Sequence, residues 1–377
     1  MKPPIISVNF YDSLRRGAFQ FYQRVTPDSY THSVSAFGGY DSATITLGMT
    51  QTEAEDWLES GLMRHVKVYA SALDVIWEGF VNEIRLNLGP LAMTYGPLLN
   101  MANRVLTTFT PLEEGNEYFV YGSQAFTDYE NNTTSQDQFG IMPVVLNGGS
   151  QTLANAEIIR DTHLANNVWP QLTQSWTSQG RQAATVTLIC KGYYHLLNYP
   201  YVGIIGTQDA SVKLAAVLAY TPNSSWLTYD DANVEANTLQ IPIEEPQLRT
   251  GLSTIKDIVV RGDASYNRWL FYILNDRKAY YHQAPTTIEY RAYVQQGGVI
   301  LQSPNQSAID PWRLRPGRWL AFYDFLVGRN ITAVNRDPRM MFVEKVTYRA
   351  PFGLQLAGGN TDEINQLLAQ SGMGGIS

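Results

Sequence analysis

GLMRHVKVYASALDVIWEGFVNEIRLNLGPLAMTYG, running from Gly61 to Gly96, finds a counterpart about 260 residues further on. The counterpart is PGRWLAFYDF, a polar stretch, and then RDPRMMFVEKVTYRAPFGLQLAGG, from Pro316 to Gly359. Each copy leads with a glycine and a strand of alternating apolar residues, Val66 and Val68 in one, Trp319, Ala321 and Tyr323 in the other. Each continues after a link with Phe-Val and an acidic residue, Phe80-Val81 ahead of Glu83 and Phe342-Val343 ahead of Glu344. A further alternating strand follows, then a proline turn and a last strand. Period-two alternation broken by a Pro/Gly turn is the pattern of hairpins with one buried face. The two copies predict one supersecondary element written twice.

Working outward, residues 3–47 read as short strands (IISVNF, GAFQFYQRV, SATITLGM) broken by Pro27, Asp28 and Gly38-Gly39. EAEDWLESGL, capped by Thr50 or Thr52 and closed by Gly61, predicts a helix. Residues 1–96 are therefore expected to form a first small β-barrel with one short helix. Between 97 and 180 a mixed α+β region is expected. It has a short helical face over Leu98–Leu106, strands in EYFVYG and GIMPVVL, a Thr/Asn/Ser-rich loop at 131–137 and a helix over Ala154–Asn167.

ATVTLICKGYYHLL opens residues 181–250 with strict alternation and predicts a central strand, and VKLAAVLAYT predicts a helix. Residues 251–310 hold a helix ending near Gly262, an aromatic hairpin turning at Asn275-Asp276, and the strand GGVILQ. The second repeat copy, 311–359, would complete a second barrel. A Gly-rich tail, 360–377, is expected to be a short helix at best and otherwise mobile. The expected fold is mainly β with α+β insertions: two similar small β-barrel domains plus intervening mixed domains.

The chain has 377 residues, more than one core usually supports. Charged residues are only 16%, against 23 tyrosines, 18 prolines and 29 glycines, a balance that suits strands, turns and polar surfaces that neighbouring subunits can cover. A net charge of −7 gives no general attraction to a nucleic acid backbone. One cysteine, Cys190, excludes an intrachain disulfide, and its apolar strand predicts a buried thiol. MKPPIISVNF lacks a signal-peptide core and no apolar run reaches membrane-spanning length, so no membrane anchor is expected.

The chemistry-bearing residues form no recognised motif. A nucleophile elbow, a Walker sequence, a Rossmann fingerprint and zinc spacing are all absent, and no catalytic residue, metal ligand or cofactor is expected. His32, His65, His163, His195 and His282 stand singly. Cys190 and His195 would need an exposed, low-pKa thiol to act as a dyad, and a core cysteine beside a structural histidine is the preferred reading. The acid pairs Glu113-Glu114, Asp230-Asp231 and Glu244-Glu245 read as solvated loops. Tyr193, Tyr194, Tyr199, Tyr201 and Trp226 invite a sugar-stacking reading, but aromatics in strands mostly pack a core or interface. Arg313, Arg315, Arg318, Arg336, Arg339 and Arg349 cluster around the second copy. They are candidates for a subunit interface or a lumen, with Asp324 or Glu344 as expected ion-pair partners.

The segment His65–Tyr69 followed by Trp77, Gly79, Phe80 and Val81 resembles the "strand, gap, W-x-G-F/Y-V" of an early barrel in bacteriophage tail hub and baseplate hub proteins. That family includes the central hub protein of contractile tails and the N-terminal part of siphophage tail-associated proteins. Ser135, Phe139, Gly140, Ala154 and Ala156 resemble its middle-domain loop and helix, and Pro316-Gly317 the entry to its second barrel. The resemblance implies a homotrimeric virion ring, made in the host cytoplasm and placed at the tail tip or baseplate. Its partners would be the tail tube protein, a tip or fibre protein and the tape-measure protein, with genome DNA passing through unbound. Reversing Arg318 or Arg349 would then lower assembly more than folding. The alternatives are a carbohydrate-binding or glycan-cleaving tail protein, and an unrelated soluble multidomain β protein.

Overall fold

The computed structural model describes residues 5–12, 20–70, 74–112, 124–176, 184–201, 207–220, 226–242, 249–295, 298–303, 305, 307–323, 339–351 and 353–359. The first copy is a meander of β5 (His65–Ala70), β6 (Val75–Asn87) and β7 (Leu91–Tyr95). The second is β22 (Arg318–Tyr323), β23 (Arg339–Arg349) and β24 (Gly353–Gly359). Phe80 pairs with His65, the first residue of β5, and Phe342 with Trp319, the second of β22, so the two phenylalanines differ by one residue in their relation to the leading strand. Both middle strands end seven residues beyond that phenylalanine, and in both the last strand begins after a three-residue turn.

The copies differ in where the third strand goes. β13 (Thr185–Lys191) and β7 both pair with residues 84–87 of β6, so they occupy opposite edges, and β7 lies on the edge that β5 uses. In the second copy β24 and β22 both pair with residues 342–343 of β23. β24 therefore takes the edge opposite β22, and β3 (Ser29–Ser35) continues along the β22 edge.

The expected barrels are not formed: among the described residues no sheet closes on itself. One 16-stranded sheet has as its main path the eleven strands β2-β1-β5-β6-β13-β4-β3-β23-β22-β20-β21, with five more pairing off it. Here β1 is Ile6–Tyr11, β2 Phe21–Val25, β4 Phe37–Gly48, β20 Ile288–Gln295 and β21 Gly298–Gln302. The reason lies in β6 and β23. The edge that could close each meander is paired instead with β13 or β3, and those strands, through β4, join the two copies into one sheet. β13 is the central strand its alternation predicts. Its Val186, Leu188 and Cys190 point into a core that also takes Trp57, Trp77, Phe80, Phe271 and Tyr348. A smaller cluster under the second copy gathers Ala292, Leu301, Leu314, Leu320, Val343 and Val346.

Helices follow their caps. α1 (Gln51–Ser60) starts on a capping box in which Thr50 accepts from the Glu53 N–H and Glu53 reaches back to Thr50. α4 (Ala210–Ala219) and α5 (Gly251–Arg261) lie where expected, α5 closing at Gly262. The aromatic hairpin is β18 (Trp269–Leu274) and β19 (Lys278–Gln283), with Asp276 and Arg277 in the left-handed region at φ 59° and 60°.

Two expectations in the α+β region are corrected. Leu98–Leu106 is a short 3-10 turn, Leu98–Asn100, followed by β8 (Arg104–Pro111). β8 is buried over Val105–Phe109, and its apolar run belongs to a two-face-buried strand rather than a helical face. The stretch at 131–137 is largely helical, as α2 (Thr133–Phe139). Asn132 caps it by accepting from the Ser135 N–H at 2.9 Å, and Ser135 and Phe139, one turn apart, are buried. β8 pairs in parallel with β11 (Pro143–Gln151), and α3 (Leu153–Asn167) packs on that sheet. The expected strand EYFVYG and the tail after residue 359 lie outside the described residues.

Candidate functional site

Of the residues defining the repeat, Trp77, Phe80, Val81, Phe342 and Val343 are buried. Gly79 lies against the Lys191 carbonyl of β13. Gly317, next to Pro316, turns at φ 80° and donates its N–H to the Val343 carbonyl at 2.7 Å. The middle-domain residues also cohere: Asn103 Nδ2 donates to Ser135 Oγ at 3.2 Å, and Ser135 Oγ donates to the Val168 carbonyl at 2.7 Å. The motif is thus a set of packing and turn positions.

The arginines divide. Arg313 pairs with Asp74 at the β5–β6 link, and Arg315 donates to the carbonyls of Val75 at 3.3 Å and Ile76 at 3.5 Å. Together they fasten the approach to the second copy onto the first. Arg318 pairs with Glu289 at 3.3 Å. Glu344, an expected partner, instead lies 4.0 Å from Arg268. Arg336 and Asp324 lie outside the described residues, and Arg339 opens β23. Arg349 is exposed on β23 beside a shallow 460 Å³ depression with Ser29, Thr31, Thr347 and Gln355. Sequence reasoning missed the Arg313–Asp74 contact because the partners are 239 residues apart.

Two buried polar clusters connect distant elements. In the first, His65 Nδ1 and the Tyr193 hydroxyl are 2.6 Å apart, and His65 Nε2 lies 3.5 Å from Glu78 Oε1. Glu78 Oε2 accepts the Asp276 N–H at 2.7 Å, and Lys67 reaches Asp276 at 2.8 Å. Glu78 thereby holds the left-handed turn of the aromatic hairpin. Burial pushes its carboxyl up to about 7 against the opposing pull of Lys67, while burial first and then the Lys67 and Arg277 cations hold His65 well below its ordinary range.

The signs follow from linkage. Glu78, raised in the fold, contributes stability that is full below its unfolded value near 4.5 and is lost as pH rises through about 7. His65, lowered in the fold, contributes stability that is lost as pH falls below its unfolded value near 6.5. Relative to Glu78→Gln, the wild type should therefore lose up to about 3 kcal/mol between pH 5 and 8, read as a falling urea midpoint. Parallel profiles for the two proteins would contradict that assignment.

The second cluster centres on Asp41. It accepts from Tyr194 at 2.9 Å, His195 at 3.2 Å, Ser33 at 3.0 Å and Lys345 at 2.7 Å. These bonds tie β4 to β3, to the 3-10 turn Tyr193–Leu197 and to β23 of the second copy. Burial pushes the Asp41 carboxyl up, but the bonds from His195, Lys345 and Tyr194 outweigh it and hold it well below the usual carboxylate range.

Cys190 is fully buried, and burial pushes its thiol up, the opposite of a reactive cysteine. Asp230 caps the turn Asp231–Asn233. The acid pairs at 113–114 and 244–245 lie outside the described residues. Tyr193, Tyr199 and Trp226 are core, so they offer no platform for a sugar. Among the described residues no three His, Cys, Asp or Glu side chains gather as a metal site, and no helix is long and apolar enough to cross a membrane. A 620 Å³ groove lies between β11 and the segments 195–200 and 249–252, lined by Met101, Met142, Val144, His195 and Arg249 among others.

What the molecule does expose is sheet edges. Among the described residues β2 pairs only with β1, β24 only with β23 and β12 (Leu172–Trp176) only with β7, while β21 pairs with β20 and at its far end meets residues 307–309, where Gln302 bridges Ala308 and Ile309 donates its N–H to the Leu301 carbonyl at 2.9 Å. Every residue of β12 is exposed, Trp176 at 74%, and Phe21, Leu172, Val299 and Ile300 add apolar side chains along these edges. Unblunted apolar edges are templates for pairing with another chain.

The overall outline is distantly similar to two solved structures. One is the tail protein from Neisseria meningitidis MC58, with TM-score 0.44 and 7% identity over 95% of this chain and 97% of that one. The other is the 43 kDa tail protein of prophage MuSo2 from Shewanella oneidensis, with TM-score 0.36 and 8% identity over 96% and 99%. No family model and no curated protein sequence matches the chain.

Proposed function

We propose that this chain is a non-enzymatic structural protein of a bacteriophage tail, a hub at the tail tip or baseplate that works as a homotrimeric ring. The observation that carries the reading is the open sheet: a chain whose strands end in several exposed apolar edges gains by pairing them with neighbouring chains. Two related meanders per chain supply six related positions in a trimer, a means of joining a sixfold tail tube protein to a threefold tip or fibre. The tape-measure protein is a further partner, and genome DNA passes through the ring without specific binding. Assembly takes place in the host cytoplasm. The burial of Tyr193, Tyr199 and Trp226 weighs against the glycan-binding alternative. Class-averaged electron microscopy of the purified protein tests the reading: rings of threefold symmetry support it, and single compact particles oppose it.

A further inference from the structure

Two segments of the chain differ in charge. Residues 97–180 hold eight acidic and two basic side chains, whereas residues 311–359 hold eight basic and three acidic ones, Lys and Arg counted as basic. On the acidic side, Glu130, Glu157 and Asp161 gather around Arg160, which donates to Asp161 at 2.7 Å and to the Asp128 carbonyl at 3.0 Å. Ile158, 62% exposed, stands on the outer face of α3, one turn before Asp161. Ala156 and Arg160 of α3 are buried and Glu157 is half-buried, while Ile158, Ile159, Asp161 and Thr162 are exposed.

On the basic side, one face of the sheet from β13 to β24 carries small hydroxyl side chains. Ile189, Thr44, Thr31, Arg349 and Gly353 lie side by side across five strands, and Lys191, Ser42, Ser33, Thr347 and Gln355 form the neighbouring row. The alternate residues, Cys190, Ala43, His32 and Tyr348, fill the core beneath. Lys345 on this face is held by Asp41, whereas Arg349 stands exposed beside its depression. The hydroxyl side chains between Arg349 and Lys191 are short, so a helix seated on them orders few long side chains.

We infer that these surfaces are the two halves of one contact, the acidic outer face of α3 in one copy docking on the hydroxyl and arginine face of the next. The contact is heterologous, because it joins two different surfaces, and a heterologous contact is what a closed ring of three requires. The inference rests on the ring reading above and names the surfaces that make it.

A charge swap tests it, with self-association followed by sedimentation and folding checked by thermal melting. Glu157→Arg and Arg349→Glu should each weaken association about tenfold, and the double variant should return to within about threefold of wild type. Ile158→Lys, which breaks no ion pair, should weaken association with an unchanged melting temperature. A wild type that associates while all three variants associate equally well overturns this contact and leaves the ring reading standing. A wild type that stays monomeric overturns both. Retention of a labelled DNA duplex that is lost in Arg349→Glu, with association unchanged, would assign the face to a nucleic acid and overturn the contact.

Discussion

Gly79→Ala is expected to destabilise the protein by at least about 3 kcal/mol, because the site leaves no room for a side chain. A Cβ there would lie 2.2 Å from the Lys191 carbonyl oxygen and 2.4 Å from the Trp77 ring. The first obstacle is backbone of β13 and cannot rotate away. β6 passes from pairing with β5 to pairing with β13 next to Gly79, and the register of β13 shifts between Ile189 and Cys190 to follow. Adding a methyl group must therefore separate strands at the centre of the sheet. Gly149→Ala is the control: φ is 68° but nothing lies within 4 Å, and the loss should be about 1 kcal/mol. Urea midpoints read both. Equal small losses would mean that β13 does not press on Gly79.

Asp41→Ala is expected to cost about 2–4 kcal/mol and to loosen the second copy from the first. Its carboxylate is mostly buried and accepts four hydrogen bonds, from two strands and a 3-10 turn, so its removal strands Tyr194 and His195 as well as Ser33. Lys345→Ala should cost far less, under about 1 kcal/mol, because that ammonium is half exposed. The pH dependence has its own sign. Asp41 is lowered in the fold, so its contribution is full above its unfolded value near 3.8 and is lost as pH falls. The wild type should accordingly lose its advantage over Asp41→Ala in acid. Hydrogen exchange at β23 separates the two roles, since faster exchange there reports the loosened second copy.

Local chemistry made much of the fold legible. The Thr50–Glu53 capping box, Gly262 after α5, the alternation of Thr185–Lys191 and the turn at Asn275-Asp276 each act within a few residues. The equal spacing of the two meanders was readable for the same reason. What sequence could not show is pairing at a distance. Lys345–Arg349 of β23 lie against Thr31–Ser35 of β3, and that ladder makes one open sheet of what reads as two barrels. Composition misled at 131–137, where Thr, Asn and Ser suggest a loop, yet the Asn132 cap and the burial of Phe139 make a helix.

The candidate arginines were found as a cluster, but their partners were not, since Asp74 and Glu289 are supplied by tertiary structure. The buried clusters at Glu78 and Asp41 carry no local sequence motif. Their members are single residues on separate strands, and only the lone acid inside the apolar run VIWEGF offered a signal.

The central claim is that this open sheet is completed by other copies of the same chain. Light scattering of the purified protein, coupled to size exclusion and repeated across concentration, measures it directly. The account predicts a mass of three 42.3 kDa chains. A particle that keeps the mass of one chain at every concentration would contradict it.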